Sequence, residues 1–412
     1  MKICLKNISK LYLISDNPQI QYLRGTEMKN PMVLENAWLL IEGDKIDNYG
    51  TGFPNTEEAN EVIDCNQGMV LPGFVDSHTH TLFAGTRDHE LIMKLQGMSY
   101  AEITQKGGGI FSTVESLRKT SEEDLLQHGI EYLRKMAKLG TTTVEIKSGY
   151  GLDFENEVKM LKVIQKLKSF AEQNLYATFL GAHAIPIEYR NQREKYIEEL
   201  TDRMIPYVAG EGLADFVDVF CETGFFTPDE TKKILETAQR HGLKVKVHAN
   251  EMDLSGGVQA GVLHHAVSVD HLECLGKEEI ELLSQSDTVA TLLPSTAFYL
   301  RLPYAPAREL LDNNAIVSLA SDFNPGTSPS YNLYFVWILA CLQMKMLPEE
   351  ALTALTLNAA YALRDSNIGS LAKGKLANLI VTHPLDNLSK IPYFFGENFM
   401  DKVMIRGKWV KS

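Results

Sequence analysis

The sequence predicts an α/β protein, a (β/α)8 TIM barrel carrying a β domain formed from both chain termini. Three observations lead there. Between roughly residues 68 and 360, short apolar runs alternate eight times with helical patterns, as a (β/α)8 barrel requires. Both ends of the chain read instead as short strands and turns. No GxGxxG opens the first strand–helix turn, which disfavours the doubly wound alternative. The 412 residues accommodate a barrel of roughly 250 residues plus an accessory domain.

The elements follow in order. "VLENAWLLIEGDKIDNYGTG" (33–52) has alternating apolar positions around Glu-Gly-Asp, a hairpin pattern. The eight runs are "GFVDSH", "TTVEIKS", "LYATFLGAH", "DFVDVFCE", "LKVKVHAN", "AVSVDHLE", "TVATLLP" and "AIVSLASD". Segments between them, such as "SEEDLLQHGIEYLRKMAKLG" and "NEVKMLKVIQKLKSFAEQ", show helical spacing with acidic starts and basic ends. "LANLIVTHPL" and "KVMIRGKWVKS" return to strand texture, with Gly407 at a turn. The expected division is a composite β domain of residues 1–67 and 362–412 around a barrel of 68–361.

The hydrophobic fraction of 44% and charged fraction of 23% are ordinary for a globular protein. A formal net charge of −13 argues against a nucleic-acid or acidic-membrane partner, because neutralising phosphates takes surplus Lys and Arg. An anionic substrate would therefore need a local cationic anchor. The five cysteines are scattered without a CxxC pair, which suits a reducing compartment. The first residues lack the apolar run of a signal peptide, and no apolar span reaches ~20 residues. The expected location is the cytoplasm.

"LPGFVDSHTH" (71–80) ends in two histidines separated by one residue. On a strand, His78 and His80 point to the same face. Three more histidines close predicted strands, His183, His248 and His271, and the eighth run ends in Ser321-Asp322. In a barrel these strand ends meet at one face, so five histidines and an aspartate converge. Imidazole and carboxylate ligands suit zinc or a similar first-row ion that keeps a position open for water. His78, His80, His248 and Asp322 would be the ligands, one more than the usual three. Such an ion lowers the pKa of bound water towards ~7, and Asp322 is also placed to take the water's proton. There is no GxSxG elbow and no cysteine placed beside a histidine to offer another nucleophile. A binuclear site often uses a modified lysine on the fourth strand, which here ends Phe220-Cys221-Glu222. Lys147 lies on the second strand, so one metal is expected.

Together, "PGFVDSHTH", "VHANE", "VDHLE" and "LASDFNPGT" resemble the amidohydrolase superfamily, metal hydrolases on this barrel with a β-sandwich from both termini. "HTHTLFAGTRDHE", "KGGGIFSTV", "TVEIKSGYGL", "FLGAHAIP", "HANEM" and "SDFNPGTSP" are similar, more closely, to the imidazolonepropionase family, in that family's order and over essentially the whole chain. The resemblance implies hydrolysis of 4-imidazolone-5-propanoate to N-formimino-L-glutamate, one zinc or iron ion, and a homodimer. It carries metal binding to His78, His80, His248 and Asp322. Arg87 matches the residue on the substrate's carboxylate. Tyr150, His183 and Glu251 match other substrate contacts, Asn324, Gly326 and Thr327 match product contacts, and His271 matches an active-site histidine near the reacting carbonyl.

The chemistry agrees with those roles. A guanidinium grips a carboxylate through two parallel hydrogen bonds. Glu251, three residues past a metal ligand, can bond the ring nitrogens or carry a proton to the leaving one. His271 can stabilise the tetrahedral oxyanion. Asp322, Glu251 and His271 are thus the catalytic candidates.

Some residues stay open. Asp76 shares His78's inward parity and either orients a ligand or fills the barrel floor. Lys246 shares His248's face with no evident partner. "KGGGI" (106–110) lacks a following GK[ST] and reads as an active-site loop rather than a phosphate loop. His264 and His265 read as helix-end residues. Asn378, in "GKLANLIV", stands where superfamily members usually carry aspartate, which puts the β domain's local hydrogen bonding in question. Two rival functions remain. One is another cyclic-amide hydrolase or aminohydrolase, from which Arg87 discriminates because uncharged bases offer no carboxylate. The other is a catalytically dead relative, against which the full ligand set stands.

Overall fold

The computed structural model describes residues 1–57, 59–98, 102 and 107–411. The N-terminal segment supplies β1 (Lys2–Ile14), β2 (Met32–Glu42), β3 (Lys45–Thr51), β4 (Glu61–Asp64) and β5 (Gly68–Pro72). All eight predicted runs of the middle then become strands. They are β6 (Phe74–Asp76), β7 (Thr141–Lys147), β8 (Asn174–Ala182), β9 (Phe216–Cys221), β10 (Lys244–Ala249), β11 (Ser268–His271), β12 (Val289–Leu292) and β13 (Val317–Leu319). The C-terminal segment adds β14 (Leu379–Pro384), β15 (Met400–Ile405) and β16 (Lys408–Trp409).

The terminal strands form one sheet in the order β16-β15-β14-β5-β1-β2-β3, with β4 pairing β1. The expected hairpin is β2–β3, closed by Glu42 opposite Lys45, with Gly43 at φ +64° supplying the left-handed turn position. Residues 68–72, which the sequence reading places at the barrel's start, pair as β5 with β14 and β1 of this sheet. Pro72 and Gly73 turn the chain from the sheet into β6. Gly73 must be small: a Cβ there would come within 2.3 Å of the Thr142 side chain. Asn378 answers half of its own question: its Oδ1 accepts the Arg406 backbone N–H at 2.8 Å, while its Nδ2 is buried without a hydrogen-bond partner among the described residues.

The eight barrel strands run in sequence order, with every paired neighbour parallel. The helices between them keep the expected acidic starts and add side-chain caps. Ser121 accepts Asp124 N–H ahead of the helix Glu122–Lys138, and Asp153 accepts Asn156 N–H ahead of Phe154–Leu167. Such caps contribute about 1 kcal/mol each. One apolar cluster, including Trp337, Leu161 and Val247, fills the space between strands and helices, and a second fills the terminal sheet.

The barrel closes between β6 and β13 just beyond the strand ends. Asp322 N–H donates to His78 O at 3.0 Å and His80 N–H donates to Phe323 O at 2.9 Å. The closing stitches are thus made by the expected metal-binding segments themselves. Among the described residues no helix is long and apolar enough to cross a membrane.

Candidate metal centre and active site

The strand ends bring His78, His80, His248, His271 and Asp322 together, all nearly fully buried. Ligand-capable atoms of His78, His80 and Asp322 lie within 4.8 Å of one another, as do those of His78, His248 and His271. Asp322 Oδ1 is 3.5 Å from His78 Nε2 and 3.4 Å from His80 Nε2. His248 Nε2 is 3.3 Å from His80 Nε2.

Two aspartates decide which nitrogens face inward. His78 Nδ1–H donates to Asp270 Oδ2 at 2.6 Å, and His248 Nδ1 lies 3.0 Å from Asp218 Oδ2. Each imidazole therefore aims Nε2 at the centre, the carboxylate–histidine arrangement that fixes metal-ligand tautomers. His78 Nε2 is buried without a hydrogen-bond partner, a costly state unless something binds it. The donor set fits a cation. Burial holds the His78 and His80 pKa values well below the ordinary one and takes His248 to about 3, so these rings stay neutral and their lone pairs available.

His271 differs. Its Nε2 faces Glu251 Oε2 at 3.9 Å and its Nδ1 faces Glu273 Oε2 at 3.7 Å. Burial opposes its charge, yet Glu251, Glu273 and Asp322 outweigh burial and raise it to about 10. With carboxylates on both nitrogens it is built to donate, and the strand end twists to present it, at φ +86°. Burial raises Glu251 to about 7 and Asp322 to about 6, in both cases against the pull of His271. Asp322 Oδ2 accepts Thr296 Oγ1–H at 2.6 Å and Asn324 Nδ2–H at 3.0 Å.

A cavity of about 500 Å³ opens above the cluster, lined by His80, Arg87, Tyr150, His183, His248, Glu251, His271, Asp322, Asn324 and Thr327 among others. His183 stacks on His80 at 5.2 Å, and its Nδ1–H donates to Gly149 O at 2.9 Å. That bond leaves Nε2 as an acceptor. Tyr150 is buried beside both rings. Asn324 Oδ1 accepts the backbone N–H groups of Gly326 and Thr327 at 2.8 and 2.7 Å, folding the final loop over the cavity. Arg87 lies against that loop. A Cβ on Gly326 would fall 2.1 Å from an Arg87 terminal nitrogen, so Gly326→Ala pushes the guanidinium aside. Its expected effect is a KM raised about tenfold, measured by steady-state kinetics, with the denaturation temperature near wild type.

Lys106 of "KGGGI" lies outside the described residues. Gly109 caps the helix Ile110–Lys119 at φ +79°, ψ −166°, a region essentially reserved for glycine. Its N–H donates to Glu90 at 2.8 Å, tying this segment to the Arg87 wall. His264 and His265 follow the helix Gly257–Leu263, as expected.

Sequence reasoning missed the layer beneath the histidines. Lys147 Nζ donates to Glu145 and Asp218 at 2.7 Å each. Lys246 Nζ donates to Ser77 O at 2.6 Å and lies 3.7 Å from both Glu145 and Asp270. The open question of Lys246 is thereby answered. Asp76 accepts Ser321 N–H at 3.0 Å and Ser321 Oγ–H at 2.6 Å, so it ties β6 to the chain leading into Asp322. One signal was available: Glu145, Asp218 and Asp270 are acids inside the predicted barrel strands, and buried charges are paired.

A profile described as the Amidohydrolase family matches residues 69–410. An imidazolonepropionase of Christiangramia forsetii is 45% identical over 413 aligned positions, covering 100% of each chain. One from Flavobacterium johnsoniae is 44% identical, covering 98% of each. Among solved structures, guanine deaminase from C. acetobutylicum superposes with TM-score 0.70 at 15% identity, covering 99% of this chain and 100% of that one. Atrazine chlorohydrolase from Arthrobacter aurescens, complexed with zinc, gives 0.69 at 16%, covering 99% and 94%.

Proposed function

We propose how these residues work from one established fact: the chain belongs to the amidohydrolase family. It is a hydrolase of carbon–nitrogen bonds in cyclic amides, opening 4-imidazolone-5-propanoate to N-formimino-L-glutamate in histidine degradation. Its chemistry is metal-dependent. We assign one ion, zinc or iron, to His78, His80, His248 and Asp322. When bound, it supplies Lewis acidity that polarises a carbonyl and acidifies water.

The observation that carries the residue roles is that a single cavity holds the histidine–aspartate cluster and the Arg87 side chain. A substrate with a ring amide at one end and a carboxylate at the other matches it. Arg87 orients the propanoate, and the Asn324–Thr327 loop closes over the ligand. Tyr150 flanks the ring, and His183 Nε2 accepts a ring N–H. Asp322 takes a proton from the attacking water as the new C–O bond forms. His271, donating from Nε2, stabilises the carbonyl oxygen as its charge grows. Glu251 delivers a proton to the ring nitrogen as the C–N bond breaks, and the formimino group stays on the product. The scattered cysteines support a cytoplasmic setting. The family resemblance supports a homodimer, and the two sheets support a barrel with a β domain from both termini.

Freshly generated 4-imidazolone-5-propanoate tests this, followed by loss of ultraviolet absorbance and formation of formiminoglutamate. Conversion is expected to be abolished by a chelator and restored by zinc or iron. Failure of metal-replete protein to convert it would move the search to other cyclic amides bearing a carboxylate.

A further inference from the structure

We infer that Lys94 supplies the positive charge by which the cavity selects an anionic substrate, with Arg87 setting the geometry; this rests on the carboxylate reading of the Arg87 wall given above. Arg87 is already committed. Its Nε and a terminal nitrogen donate to the two oxygens of Glu90, each at 2.8 Å, a bidentate pair that neutralises the guanidinium. Glu90 is fully buried, so the pair is permanent furniture of the wall. An acidic protein that relied on Arg87 alone would present this end of the cavity as neutral.

Lys94 lies four residues beyond Glu90 on the helix Asp88–Leu95 and lines the same cavity. Its Nζ donates to Gly326 O at 2.9 Å and sits 5.2 Å from the centre of the Tyr299 ring. Among the described residues it has no ion-pair partner within 4.0 Å. Asp88, the other acid of this helix's first turn, is exposed and bonded to Thr86. Two cations and one buried carboxylate leave one positive charge, and it resides on Lys94. Burial and the Arg87 charge both act against that ammonium, with Glu90 opposing them, so an incoming anion relieves a standing cost. An ammonium has three donors, and the Gly326 carbonyl takes one. Gly326 touches both cations, which puts Arg87 and Lys94 side by side on one ligand group.

The test compares imidazole-4-propanoate with its neutral propanamide, by isothermal titration on wild type, Lys94→Gln and Lys94→Arg, with thermal denaturation to confirm folding. Wild type is expected to prefer the anion. Lys94→Gln should lose about tenfold or more of that preference, and Lys94→Arg should keep most of it. Equal weakening of both ligands in Lys94→Gln would make Lys94 a strap for the Gly326 loop and overturn the proposal. A wild-type preference left intact by Lys94→Gln would also overturn it, leaving the carboxylate reading standing. A wild type without preference for the anion would sink that reading itself.

Discussion

Asp322→Asn is expected to lower kcat by about 10²- to 10⁴-fold while leaving the fold intact. The backbone tolerates the change, since Asp322 sits at φ +51°, a left-handed position that asparagine adopts readily. The side-chain environment then dictates which way the amide turns. Thr296 Oγ1–H and Asn324 Nδ2–H both donate to Oδ2, so they select the amide oxygen. The amide NH2 must then occupy the place of Oδ1, 3.5 and 3.4 Å from the Nε2 atoms of His78 and His80. There it donates to the very lone pairs that would hold the ion in the proposed assignment, and it can accept no proton from water. Both assigned roles are lost by an isosteric change, so kcat and metal retention fall together. Steady-state kinetics with metal analysis after dialysis against a chelator reads both. A variant that keeps activity within tenfold and a full metal complement would transfer the base role to Glu251.

The barrel was legible because its eight strands follow buried apolar runs, flanked by amphipathic helices with acidic starts and basic ends. Strand parity then located His78, His80, His248 and Asp322, since the barrel's geometry gathers strand ends. Parity does not reveal register with the terminal sheet, so residues 68–72 read as barrel although β5 pairs with β14 and β1. Nor does it reveal partners. Lys246 looked unaccommodated because Ser77 O, Glu145 and Asp270, which surround it, lie on other strands. The same holds for Arg87. Its spacing to Glu90 is visible at i, i+3, but a helix-surface pair and a buried clamp on a cavity wall share that spacing.

Lys147→Met is the substitution expected to cost most in stability, about 3–5 kcal/mol, the range for orphaning a buried ion partner. Lys147, Glu145 and Asp218 have fully buried side chains, so no water replaces the lost ammonium. Its contacts to both acids at 2.7 Å hold Lys147 charged, its pKa raised despite burial by Asp218 first and Glu145 next. With the ammonium gone, Glu145 and Asp270 are left to Lys246, and Asp218 is left to His248. The damage should also reach the ion, because Asp218 orients His248, and loss of such a partner typically weakens metal affinity 10- to 100-fold. The double variant Lys147→Met/Glu145→Gln separates charge from packing. Removing the orphaned carboxylate along with its partner should restore part of the lost denaturation temperature, a non-additivity expected of contacting charges. Plain additivity would mean that Lys147 matters as filler of the barrel floor. Recovery of stability without recovery of metal affinity would show that the lysine fixes Asp218, and through it His248, rather than merely balancing charge.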